Sequence, residues 1–404
     1  MKPKRFLLFP WGMISRKGER AEKLLESIKE CGFNGSCFVT QDEFDVCRKL
    51  GLHIYYSMND NGGQERQLVH ELAMADETVS EQELREIVYE RLRDLPEDVH
   101  SVYVTDERGA AMFPRVKIVA DCIREKAPWA ERYINLFPNY AVCGAPNLSQ
   151  LEVETYEEYL DRFAAEVDPD FISIDNYYVN ISDNFKDPKG RVSFFSNMVQ
   201  AREACDKYDL PFQYVICCNQ LRHWQTIPTH GNLALQGFAS LAAGAKAISW
   251  FLYFGRGSYL YAPIDDTTGE DIKTPTWYLL RDVNRRILPL GELLFDMDYK
   301  GLYFSDTTDI PRAKSVAECT AIQSFTADGE CIFGHFVDAD GKDAVLVVSA
   351  DLQQPIKIDV DLGGELEYYN TDLKKWMKPL LTQKNGNVGA MWLEQGCGIL
   401  LRRK

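Results

Sequence analysis

No apolar run in this 404-residue chain approaches the ~20 residues that cross a bilayer. A soluble protein with no membrane partner is therefore expected. Positive charge is also short, since 45 Lys and Arg stand against 61 Asp and Glu for a formal charge of −16. That balance excludes a nucleic-acid partner gripped by a broad basic face. The six histidines form no HxH or HExxH pair, so no metal site is expected. No glycine-rich phosphate loop precedes a helix, GRG at 255–257 being only long enough for a turn, and no cofactor is expected. A Ser or Cys nucleophile motif is missing too. The eleven cysteines are odd in number and show no CxxC spacing, which points to free, buried thiols in a reducing compartment. Cys217 and Cys218 read as barrel interior. The start, MKPKRFLLFPWGM, has a short apolar run and no small-residue cleavage site after it. It reads as a first strand rather than a signal, and a cytoplasmic location is expected.

What the chain does contain is a repeated theme of short apolar strand, loop and amphipathic helix. Strands are predicted to end near Trp11, Val39, Tyr56, Thr105, Phe137, Ile174, Cys217 and Phe251. Between them lie GERAEKLLESIKECG, SEQELREIVYERLRDL, RVKIVADCIREKA, YEEYLDRFAAEV, FFSNMVQAREACDKY and GNLALQGFASLAAGA, apolar at i, i+3, i+4 and i+7. TPTWYLLRDVNRRILPLGELL adds an eighth helix with Pro275 in its first turn. Alternating strands and helices require a parallel sheet, and eight such units close most simply into a (β/α)8 barrel. From about Tyr299 the pattern changes to short strands with tight turns. Asp340-Gly341 is a hairpin signal, and KIDVDL alternates as a half-buried strand. The expectation is an α/β protein with a (β/α)8 barrel over 1–298 and a small all-β antiparallel sandwich over 299–404.

In such a barrel the loops after each strand converge on one face. The most telling of them follows SVYVTDERG, where an apolar run ends in Asp106, Glu107, Arg108 and a glycine. The other strand ends deliver Trp11, Asn59, Asn139, Tyr140, Asp175, Asn176, Tyr177, Asn219, Trp250 and Tyr253. Amides and carboxylates suit sugar hydroxyls, and aromatic faces suit the C–H side of a pyranose. Asp175 follows the apolar FISI, where a charge with no function would be costly to bury.

Together VTDERG, INLFPNY, FISIDNYY and LQGFASLAAGAKAISWFLYF, with DVNRRILPLGELL leading to the terminal β-region, resemble the (β/α)8 glycoside hydrolases. The similarity is strongest to the bacterial barrels like β-galactosidase of family 42. It implies hydrolysis of a carbohydrate substrate with Glu107 as general acid/base. One departure stands out: retaining enzymes of that clan carry a nucleophilic glutamate after strand seven, and PFQYVICCNQ offers no carboxylate there. The adjacent Asp and Glu are also similar to hexosaminidases of families 20 and 123, which use the sugar's 2-acetamido oxygen as nucleophile. By that analogy Asp106 orients the amide, Glu107 protonates the leaving oxygen and Tyr177 steadies the intermediate.

Consecutive strand residues point to opposite faces unless a bulge or the strand end re-aims one. Asp106 and Glu107 therefore do not by themselves define a pair, and Asp175 is an alternative partner. Two rival readings remain: a non-catalytic carbohydrate-binding barrel, and a barrel lyase or isomerase acting on sugars.

Overall fold

Apolar spacing decides where the first helices form. In α1 (Glu19–Glu30), Ala21, Leu24, Leu25 and Ile28 are the buried stripe, which is the i, i+3, i+4, i+7 pattern. The computed structural model describes residues 5–58, 69–141, 149–181, 188–223, 225–255, 259–379, 383–384 and 388–404. They divide into two units, Met1–Asp175 with Gln200–Val215, and Asn176–Val199 with Ile216–Lys404.

The first unit holds β1 (Leu7–Pro10), β2 (Gly35–Val39), β3 (His53–Tyr56), β4 (Val99–Asp106), β5 (Glu131–Asn135), β6 (Ile172–Asp175) and most of β7 (Phe212–Cys217). Each strand runs parallel to the next in chain order. β2 to β5 form one ladder, Met13 bridges β1 to Phe38 of β2, and Leu136 bridges to Ile174 of β6. β6 then pairs with β7. Between the strands come α2 (Phe44–Leu50), α3 (Val69–Ala75), α4 (Glu81–Arg91), α5 (Phe113–Lys126), α6 (Tyr156–Val167) and α7 (Pro188–Tyr208). Ser80 and Glu83 cap α4 reciprocally, and Gly51 ends α2 at φ +64°. Rings fill the interior: Phe9 stacks on Tyr55 at 4.0 Å, and Phe38 meets Tyr55, Tyr103 and Tyr133 edge-on. The predicted strand ends lie within two residues of the observed ones. The short helices α2 and α3 were not predicted, because seven residues are too few to display a period.

The second unit contains α8 (His230–Ala242), β8 (Ala245–Phe251), the hairpin β9 (Ile264–Asp265) and β10 (Ile272–Lys273), and α9 (Pro275–Phe295). Its remaining strands are β11 (Asp298–Phe304), β12 (Lys314–Ser315), β13 (Ser324–Ala327), β14 (Cys331–Val337), β15 (Asp343–Ser349), β16 (Ile356–Asp361), β17 (Leu366–Asn370), β18 (Lys375–Met377), β19 (Gln383–Lys384), β20 (Val388–Leu393) and β21 (Gly398–Arg403). They form a seven-stranded sheet, β12-β11-β14-β15-β21-β17-β18, and a four-stranded one, β13-β16-β20-β19. Phe333, Val345, Val347 and Leu401 from the larger sheet share a core with Ile356, Ile358, Val360 and Met391 from the smaller. The larger sheet's other face receives α8, which explains why β15 is apolar nearly throughout instead of alternating. At Gly334 the backbones meet so closely that a Cβ would lie 2.4 Å from the carbonyl oxygen of Ala242. Gly341, at φ +77°, turns the β14–β15 hairpin where Asp340-Gly341 predicted one. One correction applies to the antiparallel expectation. β12 runs parallel to β11, since residues 305–313 carry the chain back to the same edge before β12 begins.

Among the described residues no helix is long and apolar enough to cross a membrane. The ten described cysteines are buried free thiols.

Candidate active site

The ends of β4, β5 and β6 carry one connected polar group. Register in β4 slips between Tyr103 and Thr105, after which Asp106 stands opposite Asn135. The Asn135 amide nitrogen donates to Asp106 Oδ1 at 3.0 Å and to Asp175 Oδ1 at 3.3 Å. Both hydrogens of that amide are thereby used, one on each carboxylate. Its oxygen accepts from the Ser173 hydroxyl at 2.9 Å, and Ser173 lies 3.2 Å from the Tyr133 hydroxyl. The amide's orientation is fixed by this chain. Asp106 and Asp175 can be no farther apart than two hydrogen bonds laid end to end.

Glu107 leaves the strand in the left-handed conformation, φ +49°, while its N–H still donates to the Asn135 carbonyl at 3.0 Å. Strand alternation is thus broken at this residue, and Glu107 is re-aimed relative to Asp106. Strain of this kind in a non-glycine residue marks a position held by its surroundings. Gly109 follows for a steric reason, because a Cβ there would sit 2.4 Å from a carboxylate oxygen of Glu152. That same oxygen accepts from the Ala111 N–H at 2.9 Å and pins the loop.

Arg108 folds back along β4. Its Nε donates to Thr105 Oγ1 at 2.9 Å and its guanidinium lies 3.4 Å from Glu71. Glu71, on α3, also accepts from Thr105 at 2.7 Å and from Tyr103 at 3.2 Å. Next to it the buried His70 ring contacts the Val104 carbonyl through Nε2 at 2.9 Å, which requires the proton on that nitrogen.

The electrostatics follow from this crowding. Burial pushes the Asp106 carboxyl up to about 8, the negative charges of Glu107 and Glu71 add to the rise, and Asn135 and Arg108 oppose it. Glu107 keeps exposed surface, yet the groups around it withdraw enough water to raise its carboxyl above the ordinary range as well. Among the described residues no cation forms an ion pair with it. Asp175 is buried, at 2% exposure.

The other expected site residues divide by environment. In the first unit Trp11 is buried, edge-on to Phe38 at 5.0 Å, so it packs in the ring-filled interior. Asn139 donates to Gln200 at 3.1 Å, and Tyr140 is exposed. In the second unit Tyr177 stacks on Phe251 at 5.1 Å. Asn176 is buried, donating to Asn197 at 3.1 Å and accepting from the Tyr178 N–H; it braces its own turn. Asn219 is buried beside Cys217. Trp250 and Tyr253 need correction as open, sugar-facing rings. Both are fully buried: the Trp250 indole donates to Asn284 of α9 at 3.0 Å, and the Tyr253 hydroxyl accepts from Trp277 of α9 at 2.7 Å. Asn59 lies outside the described residues. Asn135 and Glu71 were missed. Asn135 interrupts an apolar strand in INLFPNY and was readable as a polar strand end, whereas nothing in the sequence near Glu71 ties it to β4. Among the described residues no cluster of His, Cys, Asp and Glu has a metal-holding arrangement.

No family model matches the sequence, and no curated protein matches it in sequence. Solved structures do match in fold. A β-galactosidase from Bacillus circulans sp. alkalophilus superposes with TM-score 0.62 at 9% identity over 99% of each chain. A catalytic mutant of Gan42B, a GH42 β-galactosidase from G. stearothermophilus, gives TM-score 0.63 at 9% identity over 98% of each chain. This chain resembles the (β/α)8 glycoside hydrolases. A β-galactosidase from the psychrophilic Marinomonas ef1 matches at TM-score 0.50 and 10% identity, over 74% of this chain, which spans 62% of that enzyme. At such identities the likeness is one of fold.

Proposed function

We propose that the protein is a glycoside hydrolase that cleaves O-glycosidic bonds in small oligosaccharides or glycosides, with Glu107 as general acid/base and Asp106 and Asp175 as its carboxylate partners. The observation that carries this reading is the Asn135 amide, which donates to both aspartates beside Glu107. A carboxyl whose burial raises its pKa holds its proton nearer neutrality and can give it to a leaving oxygen. Having done so, Glu107 becomes the base that takes a proton from water. Asp175 accepts a hydrogen bond from the Asn135 amide, which holds its carboxyl group near Asp106, where a carboxylate can meet developing positive charge at an anomeric carbon. Asp106, raised furthest, carries its proton near pH 7; an adjacent cationic intermediate would lower that pKa so that the proton passes to water, leaving a carboxylate. That is the behaviour needed if a 2-acetamido group attacks from the substrate.

The proposed architecture is a closed (β/α)8 barrel over 1–298 and a β-sandwich over 299–404. The successive parallel strands β1 to β7 and the whole-chain likeness to family 42 structures support it. Buried free thiols fit a reducing, cytoplasmic setting.

One observation favours the alternative of a non-catalytic sugar-binding barrel: β7 runs into Cys217, Cys218 and Asn219, all buried, with no carboxylate. Turnover of a panel of α- and β-aryl glycosides, with and without a 2-acetamido group, separates the two. The expected result is that Glu107→Gln loses about 10²–10⁴-fold in turnover while sugar binding is kept. Wild-type protein that binds sugars but turns over nothing in the panel, or a Glu107→Gln protein of undiminished activity, overturns the enzyme reading. Activity confined to 2-acetamido glycosides would select the substrate-assisted route.

A further inference from the structure

We propose that a cleft in the second unit, lined by α9 and by residues of β17, β20 and β21, is a separate binding site for a neutral oligosaccharide. Its volume is about 530 Å³, within the ~300–1,000 Å³ range of small-ligand sites. Trp392 lines it at 65% exposure, the most exposed large hydrophobic side chain described.

The position of Trp392 is unusual for its sheet. Its neighbours on β20, Met391 and Leu393, point into the core, so alternation turns the indole outward. Across the ladder, β16 obeys the same rule with charges outside: Lys357, Asp359 and Asp361 alternate with buried Ile358 and Val360. Packing alone asks for another polar side chain where Trp392 stands. An indole left in water beside a cavity is a surface that a ligand's apolar face can cover.

The charges in the cleft select the ligand. Arg286 is engaged, at 2.6 Å from Glu394 and 3.5 Å from Asp282. Among the described residues no acid pairs with Arg285 and no base pairs with Asp372, although both line the cleft. One free cation and one free anion do not attract a phosphorylated or strongly charged ligand. They do suit hydroxyls, which accept from the guanidinium fork and donate to the carboxylate. An acyl chain is disfavoured by the same two groups, which it would strip of water without replacing the lost hydrogen bonds. A molecule with one C–H face and several hydroxyls is a pyranose. The walls are held in advance: Tyr369 packs edge-on to Trp376 at 5.6 Å, and Asn370 accepts from the Leu373 N–H at 2.8 Å, which fixes the turn carrying Asp372. Preorganised walls reduce the cost of ordering on binding.

This site does not depend on the hydrolytic reading, and the test keeps the two apart. Full-length Glu107→Gln protein is titrated calorimetrically with cellotetraose, xylotetraose and galactotetraose, alone and with Trp392→Ala added. The expected result is that Trp392→Ala abolishes one binding equivalent, with an unchanged thermal midpoint. Arg285→Ala is expected to weaken that same equivalent by about tenfold or more, and it decides the matter should Trp392→Ala fail to fold. Unchanged stoichiometry and affinity in both variants, or no binding of any of the three probes, overturns the proposal. Hydrolysis of a small aryl glycoside by Trp392→Ala in the wild-type background should equal that of wild type.

Discussion

Asp106 and Asn135 face each other across β4 and β5, the carboxylate accepting from the amide at 3.0 Å. The same amide nitrogen reaches Asp175, so one neutral side chain sets the spacing of two carboxylates. Asn135→Ala removes a hydrogen bond that lowers the Asp106 pKa, and that pKa should rise further. The expected result is an Asp106 titration, followed through its carboxyl NMR signal, displaced upward, and kcat reduced about 10–100-fold with KM little changed. A downward displacement would contradict the role assigned to the amide.

Glu71 provides the opposite test. Its negative charge helps to raise Asp106 and it pairs with Arg108. Glu71→Gln keeps an acceptor for Tyr103 and Thr105 but removes the charge, so the Asp106 titration should move down. With Arg108 less firmly held, kcat/KM should fall by roughly tenfold. Opposite shifts in the two variants, read from the Asp106 carboxyl signal, are a signature that general destabilisation would not produce.

The raised Asp106 pKa is also a statement about stability. Between an unfolded value of about 4 and the folded value of about 8, the native state binds more protons than the unfolded one. Stability therefore falls as pH rises through this window. Asp106→Asn removes that contribution and should stabilise the protein at pH 8 by roughly 1–2 kcal/mol, the full shift being discounted for its coupling to Glu107. Comparison of thermal midpoints at pH 4.5 and pH 8 checks it. The variant's gain should be absent at the lower pH.

Gly334 tests the packing of α8 on the seven-stranded sheet. A methyl group there would lie 2.4 Å from the Ala242 carbonyl oxygen and 2.7 Å from its Cα, both backbone atoms that cannot rotate away. Gly334→Ala should cost about 2–4 kcal/mol, measured by denaturant unfolding. A loss under 0.5 kcal/mol would mean that helix and sheet separate easily.

Elements long enough to repeat their period were legible. α5, α6, α8 and α9 each lie within three residues of their predicted ranges at either end, and β16 alternates as KIDVDL foretold. Candidate site residues were legible only as strand ends. Asp106 ends β4 and Asp175 ends β6, with β5 between them and Glu107 just past β4, but the link of the two aspartates through Asn135 depends on a register slip in β4 that no local pattern announces. Trp250 and Tyr253 misled for a related reason. An aromatic residue at a strand end looks the same whether it opens to solvent or, as here, meets Asn284 and Trp277 of a helix more than twenty residues on.

Periodicity is a local property, so the sequence by itself determined the order of strands and helices and the change to an all-β tail. Which side chains meet was decided by tertiary structure, through the β4 slip, the left-handed Glu107 and the approach of α3 and α9. Contacts of that kind join residues tens of positions apart, and their energy depends on burial and distance, neither of which is written in the spacing of residue types.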